Sequence, residues 1–125
     1  HGDAPDVQNG LAYLYAEHQP EPGRLEEARK LAESSIKAQP ENPSFLDTAG
    51  WVHFKRGEMD EAWHYLEQAM RLDPASGVYA LHAAQVARAR GEGPRAQALL
   101  DQALTRPLEP RLRQLAEDLV GQWRT

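Results

Sequence analysis

Histidine, aspartate and glutamate carry the donor atoms in this chain that could catalyse a reaction or hold a metal, and their spacing supports neither. Five histidines occur and no cysteine, which removes disulfides and thiolate chemistry. His53 and His64 fall in one predicted hairpin, away from the i, i+4 spacing that lets two imidazoles share a metal beside a carboxylate. His53 also occupies a place in an apolar helical stripe, where a hydrogen-bonded core histidine is the natural reading. The acidic pairs Glu26-Glu27 and Asp60-Glu61 open helices, where carboxylates are favoured by the positive end of the helix dipole. Gly91-Glu92-Gly93 is followed by Pro94 rather than Lys-Ser, so it joins two helices and does not cradle phosphate. No nucleophile sits beside a base and no ligand set or cofactor motif appears, so the chain reads as a protein that is not an enzyme and needs no cofactor or metal.

Recognition is the chemistry that remains. Tyr13, Trp51 and Phe54 are large aromatics of the kind that anchor binding surfaces, because they bury much area at little entropic cost. Helices must position them. Val, Ile and Thr are scarce beside Ala, Leu, Glu, Gln and Arg, and unbranched side chains lose little rotamer freedom in a helix. The helices repeat: Gly57, Ala62, Leu66 and Ala69 recur 34 residues later as Gly91, Ala96, Leu100 and Ala103. One step earlier they meet Gly23, Ala28, Ala32 and Ser35, and Pro74 meets Pro40. A period of that length belongs to a stack of helical hairpins, each burying its apolar face on its neighbours.

In the middle repeat Pro43-Ser44 opens a helix whose buried face is Phe45, Leu46, Ala49, Val52 and His53. Arg56-Gly57 ends it, Asp60 is the expected cap of the next, and Ala62, Tyr65, Leu66, Ala69 and Met70 form that helix's stripe up to Asp73-Pro74. The third repeat follows with Tyr79, Ala80, Ala83, Ala84 and Ala87, then Gly91, then Ala96, Leu99, Leu100, Ala103 and Leu104. The first has Leu11, Ala12, Leu14 and Tyr15, with four extra residues in a stiff two-proline loop at 18–23 that ends on Gly23, the counterpart of Gly57. After Pro107-Leu108-Glu109-Pro110 a last helix sets Leu112, Leu115, Ala116, Leu119, Val120 and Trp123 against Arg111, Arg113, Gln114, Glu117, Asp118 and Gln122, the pattern of a cap with one apolar and one soluble side.

Ala49-Gly50, Gly57, Ala62, Ala69 and Pro74 together resemble the tetratricopeptide repeat. The resemblance runs over residues 5 to 123 and implies an all-α, right-handed superhelical stack of three helix-turn-helix hairpins plus a C-terminal capping helix. It places a single domain over 1–125, with repeats at about 5–42, 43–76 and 77–110 and the cap at about 110–123. Gly50 and Ala62 would lie where two helices cross closely, and a larger side chain there would cost about 1–3 kcal/mol. The first repeat departs with Ala12 and Ser35, the third with Leu108 in place of proline. The strings 9–17 and 46–51 are similar to bacterial exopolysaccharide and envelope-assembly repeat proteins, which implies a bacterial cytoplasm or periplasm. The opening His1-Gly2-Asp3 lacks an initiator Met and is read as a tag scar on a domain taken from a longer protein.

In the resembled family the first helices of successive hairpins line a concave groove that holds peptides or helices. Steps of three and four put Asp6, Asn9, Gly10, Tyr13, Ala16 and Glu17 on that side of the first helix. Ser44, Asp47, Thr48, Trp51, Phe54 and Lys55 follow on the second, and Val78, Leu81, His82, Gln85, Arg88 and Ala89 on the third. The expected site is an apolar stripe of Tyr13, Trp51, Phe54 and Leu81, with Gln85 beside it and Lys55, His82 and Arg88 along its border. It would take an amphipathic helix, or an extended segment with an acidic residue near Arg88. The competing reading has Trp51 and Phe54 packed on the neighbouring hairpin. A clamp for a terminal carboxylate is set aside, since Asn9, Tyr13, Thr48, Val78 and His82 hold the places where cationic donors would be needed. The net charge of −5 argues against nucleic acid, and no apolar run reaches the length of a membrane span. Protein or peptide is therefore the expected partner. Two alternatives stay open: a structural repeat that self-associates into a homo-oligomer, its 112–123 helix swapping between chains, and a regulatory or targeting appendage of an enzyme encoded outside this stretch.

Overall fold

Among the described residues, five of the seven helices begin with proline in their first two positions, where its missing N–H leaves no hydrogen bond unmade. The computed structural model describes residues 4–124, so the reading of His1-Gly2-Asp3 as a tag scar lies outside the described residues. The helices are α1 Pro5–His18, α2 Pro22–Ala38, α3 Pro43–Lys55, α4 Met59–Leu72, α5 Gly77–Ala89, α6 Gly93–Leu104 and α7 Pro110–Trp123, and no strand occurs among the described residues. α1 pairs with α2, α3 with α4 and α5 with α6; α2 lies on α3, α4 on α5, and α7 closes against α6. This is the all-α stack of three hairpins and a final helix that the spacing predicts.

Local signals explain most of the boundaries. The Asn42 side chain accepts from the Ser44 and Phe45 N–H groups at 3.0 and 3.4 Å, and Ser76 caps α5 by accepting from the Tyr79 N–H at 3.2 Å. Gly57 and Gly91 sit at φ +83° and +82° in the two tight turns, a region where L side chains are strained. Gly50 marks the crossing of α3 and α4: a Cβ there would lie 2.7 Å from Leu66 Cγ and 3.1 Å from the Ala62 carbonyl oxygen.

Six expectations need correction. Glu26-Glu27 does not open α2, which starts at Pro22 and has no acidic residue in its first turn, and Leu14 is 52% exposed rather than part of the buried face of α1. Gly23 is not the turn glycine of the first repeat; it lies inside α2, because the two-proline insert turns the chain through the extended Glu21 (φ −74°, ψ 153°) and starts the helix at Pro22. Asp60 does not cap α4, which begins at Met59 after Glu58, so Asp60 sits in the first turn, where its carboxylate favours the helix dipole and lies 3.4 Å from Arg90 Nε of the next hairpin. Leu115 is exposed, because the seam that α7 presents runs through Leu112, Ala116, Leu119, Val120 and Trp123 and leaves position 115 at its edge. Arg113 belongs to the cap interface rather than the soluble side: its guanidinium donates to the Leu104 and Arg106 carbonyl oxygens at 3.2 and 2.8 Å, satisfying acceptors left over at the end of α6.

Candidate functional site

α3 is the central helix, buried without a break from Phe45 to Val52, and its concave side meets α1 and α5. Buried polar residues here include Asp47 and Thr48, which follow Phe45-Leu46, and His82, within Ala80-Leu81-His82-Ala83. A buried polar group must find a partner, and Asp47 and His82 find each other, His82 Nδ1 to Asp47 Oδ1 at 2.8 Å. The His82 ring stacks on Trp51 at 4.2 Å between centroids, and Trp51 stacks on Phe54 at 4.9 Å. Tyr13 stands 6.3 Å from His82 on the other side. The Trp51 Nε1–H donates to Glu17 Oε1 at 2.8 Å, and the Lys55 ammonium lies 5.1 Å from the indole centre. Tyr13, His82, Trp51, Phe54 and Lys55 thus form one row across three helices.

The row is less open than an apolar stripe of exposed aromatics would be. Trp51 is 4% exposed, His82 3% and Leu81 0%. Leu81 leaves the row altogether and packs with Leu100, Ala103 and Ala116 beneath α7, because the cap claims that side of α5. Tyr13, Phe54, Lys55 and Gln85 are half-buried and Arg88 is exposed, so these give the face its surface. Gln85 donates weakly to the Leu81 carbonyl oxygen at 3.4 Å, and Arg88 lies over the Trp123 ring of α7 at 5.2 Å. One turn before Tyr13, the buried Asn9 Oδ1 has no hydrogen-bond partner among the described residues.

Burial, chiefly, raises the Tyr13 hydroxyl above its ordinary range, and the carboxylates of Glu17, Asp47 and Glu109 add to it while Arg111 opposes. Glu109 and Arg111 flank the start of α7, so the cap's leading end bears on the row. Burial also pushes the Tyr79 hydroxyl up to about 12, with Asp47 and Asp73 adding.

Charge elsewhere is structural. Arg56 Nη1 reaches Glu26 at 2.9 Å and its Nε reaches Glu58 at 2.9 Å, tying α2 to the turn after α3. Arg29 bonds Glu26 and Glu33 at 2.6 and 2.8 Å. Hydrogen bonds from Arg29 first and Arg56 second hold the Glu26 carboxyl down at about 2, against some desolvation. His53 bonds Glu58 at 2.7 Å and stacks on Tyr65 at 5.4 Å, which uses up both its ring face and its Nδ1. Among the described residues no three His, Asp or Glu side chains are grouped to hold a metal, and no helix is long and apolar enough to cross a membrane.

The convex side carries a second feature. The Arg90 and Arg95 guanidinium groups lie 5.5 and 5.3 Å from the Trp63 ring, beside a groove of roughly 650 Å³ that Met70 and Leu99 also line.

No family model matches the sequence. A TPR repeat-containing protein of Pseudomonas aeruginosa is 35% identical over 66 residues, which is 53% of this chain and 11% of that protein's length. Among solved structures, the Yersinia enterocolitica type III secretion chaperone SycD in complex with a peptide of the translocator YopD superposes with a TM-score of 0.75 at 21% identity, covering 99% of this chain and 95% of that one. A thermophilic TPR protein of Thermus thermophilus superposes at 0.77 and 21% identity, over 94% of this chain and 64% of that one. The fold is that of the tetratricopeptide repeat.

Proposed function

We propose that this tetratricopeptide-repeat stack is a protein-interaction module that holds a peptide segment of a partner along the concave side, over the row from Tyr13 to Phe54. The observation that carries the reading is the row itself: aromatic rings from three helices form a floor, and the polar side chains Lys55, Gln85 and Arg88 stand along it. A fixed aromatic floor binds without having to be ordered first, which lowers the entropic cost of association. The peptide held by the similar Yersinia chaperone supports the same use of the fold here. The partner is a helix or an extended segment. An acidic side chain near Arg88 completes the fit.

We read no catalysis in this face. The acid and base that stand closest, Asp47 and His82, are buried beneath Trp51 and bonded to each other, out of a substrate's reach. A display library of random dodecapeptides panned on the immobilised chain tests the proposal, with affinities then measured by fluorescence anisotropy. Lys55→Glu and Arg88→Glu are each expected to weaken selected peptides about tenfold or more, with circular dichroism showing that both variants remain folded. Peptides that ignore both changes and are lost with Trp63→Ala would move the site to the convex groove.

A further inference from the structure

The first helix leaves an apolar face uncovered, and the other first helices of the stack show what belongs on it. Val7, Leu11 and Leu14 lie at i, i+4 and i+7 on α1; Val7 is 57% exposed, Leu14 52%, and Leu11 half-buried. Pro5 of α1 and Pro43 of α3 both open their helices, so aligning the two starts sets Val7, Leu11 and Leu14 on Phe45, Ala49 and Val52. The corresponding residues of α5, at the 34-residue step, are Tyr79, Ala83 and Val86. Phe45, Ala49, Val52, Ala83 and Val86 are buried. Val52 packs among Leu25, Ala28 and Ala32 of α2, and Val86 among Ala62 and Leu66 of α4. The same stripe is thus covered twice by the second helix of the preceding hairpin, through an Ala and an Ala or Leu four residues on.

We propose that the Val7–Leu11–Leu14 face is the docking seat of a further hairpin of the same repeat, carried in the same polypeptide ahead of α1, whose second helix lies on α1 as α2 lies on α3. A second intact copy of this chain does not supply that helix, because α2 already lies on α3, α4 on α5 and α6 under α7. The seat therefore extends the interface already repeated within the molecule and is independent of what the concave face binds.

The test joins a second copy of residues 42–76 directly to Pro5 of the full chain, so that its junction reproduces the one between Ser76 and Gly77. The expected result is a single cooperative melt shifted upward by roughly 5 °C or more, with slower amide exchange along α1. Leu14→Glu should abolish that gain in the joined protein, yet leave the melting temperature of the 125-residue chain unchanged within about 2 °C, since there the side chain faces water. A joined hairpin that adds no stability, or one whose gain survives Leu14→Glu, overturns the proposal. So does a dimer of the 125-residue chain in sedimentation that Leu14→Glu splits, because the seat would then belong to a second copy.

Discussion

Trp51 makes three kinds of contact at once: stacking on His82 and Phe54, a hydrogen bond to Glu17, and a cation over its face from Lys55. At 4% exposure it is a core residue that happens to underlie a surface. Trp51→Ala is therefore expected to destabilise the fold by about 3–5 kcal/mol in urea unfolding, rather than to remove a contact from an intact groove. A loss under 1 kcal/mol would mean that the indole stands free. The Asp47–His82 pair beneath it obeys a different rule, because a buried polar group costs most when its partner is taken away. Asp47→Leu alone should cost about 1–3 kcal/mol, and adding His82→Leu should recover much of that loss, giving a coupling in the double-mutant cycle that simple packing would not produce.

At the scale of the element, two glycines that the repeat spacing equates make opposite predictions. Gly57 terminates α3 at φ +83°, so Gly57→Ala should destabilise by about 1–2 kcal/mol. Gly23 lies within α2, where an added Cβ meets nothing within 4 Å, and Gly23→Ala should stabilise by about 0.5–1 kcal/mol. Chemical denaturation of the two variants side by side checks both. The same pair shows how far the sequence is legible. Helix type, the order of the hairpins and the Gly50–Ala62 crossing follow from periodic small and apolar residues, since those positions repeat and each repeat reinforces the reading. The turn at 18–23 is an insertion with no counterpart, so matching by spacing alone misplaced its glycine. The site was partly legible for a related reason. Steps of three and four put Tyr13, Trp51 and Phe54 on one side, but whether a residue on that side is covered depends on helices far away in sequence. α7 buries Leu81, and α1 sends Glu17 to meet Trp51; neither follows from the pattern within one helix. The one local sign available was Asp47 and His82 themselves, charged or titratable residues that follow apolar ones and had to pair.

Across the molecule, hairpins hold to one another mainly through alanine-rich seams, joined in addition by charge: Arg56 with Glu26 at 2.9 Å between the first two, and Arg90 with Asp60 at a longer 3.4 Å between the second and third. Arg56 draws Glu26 of α2 and Glu58 of its own turn into one network, and both carboxyls are held below their ordinary range, Glu26 at about 2 against an ordinary 4.5. A carboxyl whose folded value is depressed stabilises the fold above its unfolded value, and that contribution disappears as it is protonated in the folded state. The junction should therefore be intact above about pH 4.5 and weaken as pH falls from there through about 2. These side chains are partly open to water, so the effect is modest and screened by salt. Melting temperatures taken from pH 6 to pH 2 at low ionic strength should decline over that window, and Glu26→Gln should make the decline shallower while lowering the melting temperature at pH 6. Hydrogen exchange locates the effect: at acid pH the α2 and α3 amides should lose protection before those of α5 and α6, whose hairpin is held by the apolar cap and does not depend on this network. An acid transition that begins instead in α5 and α6 would show that the seam between the first two hairpins needs no charge to hold it.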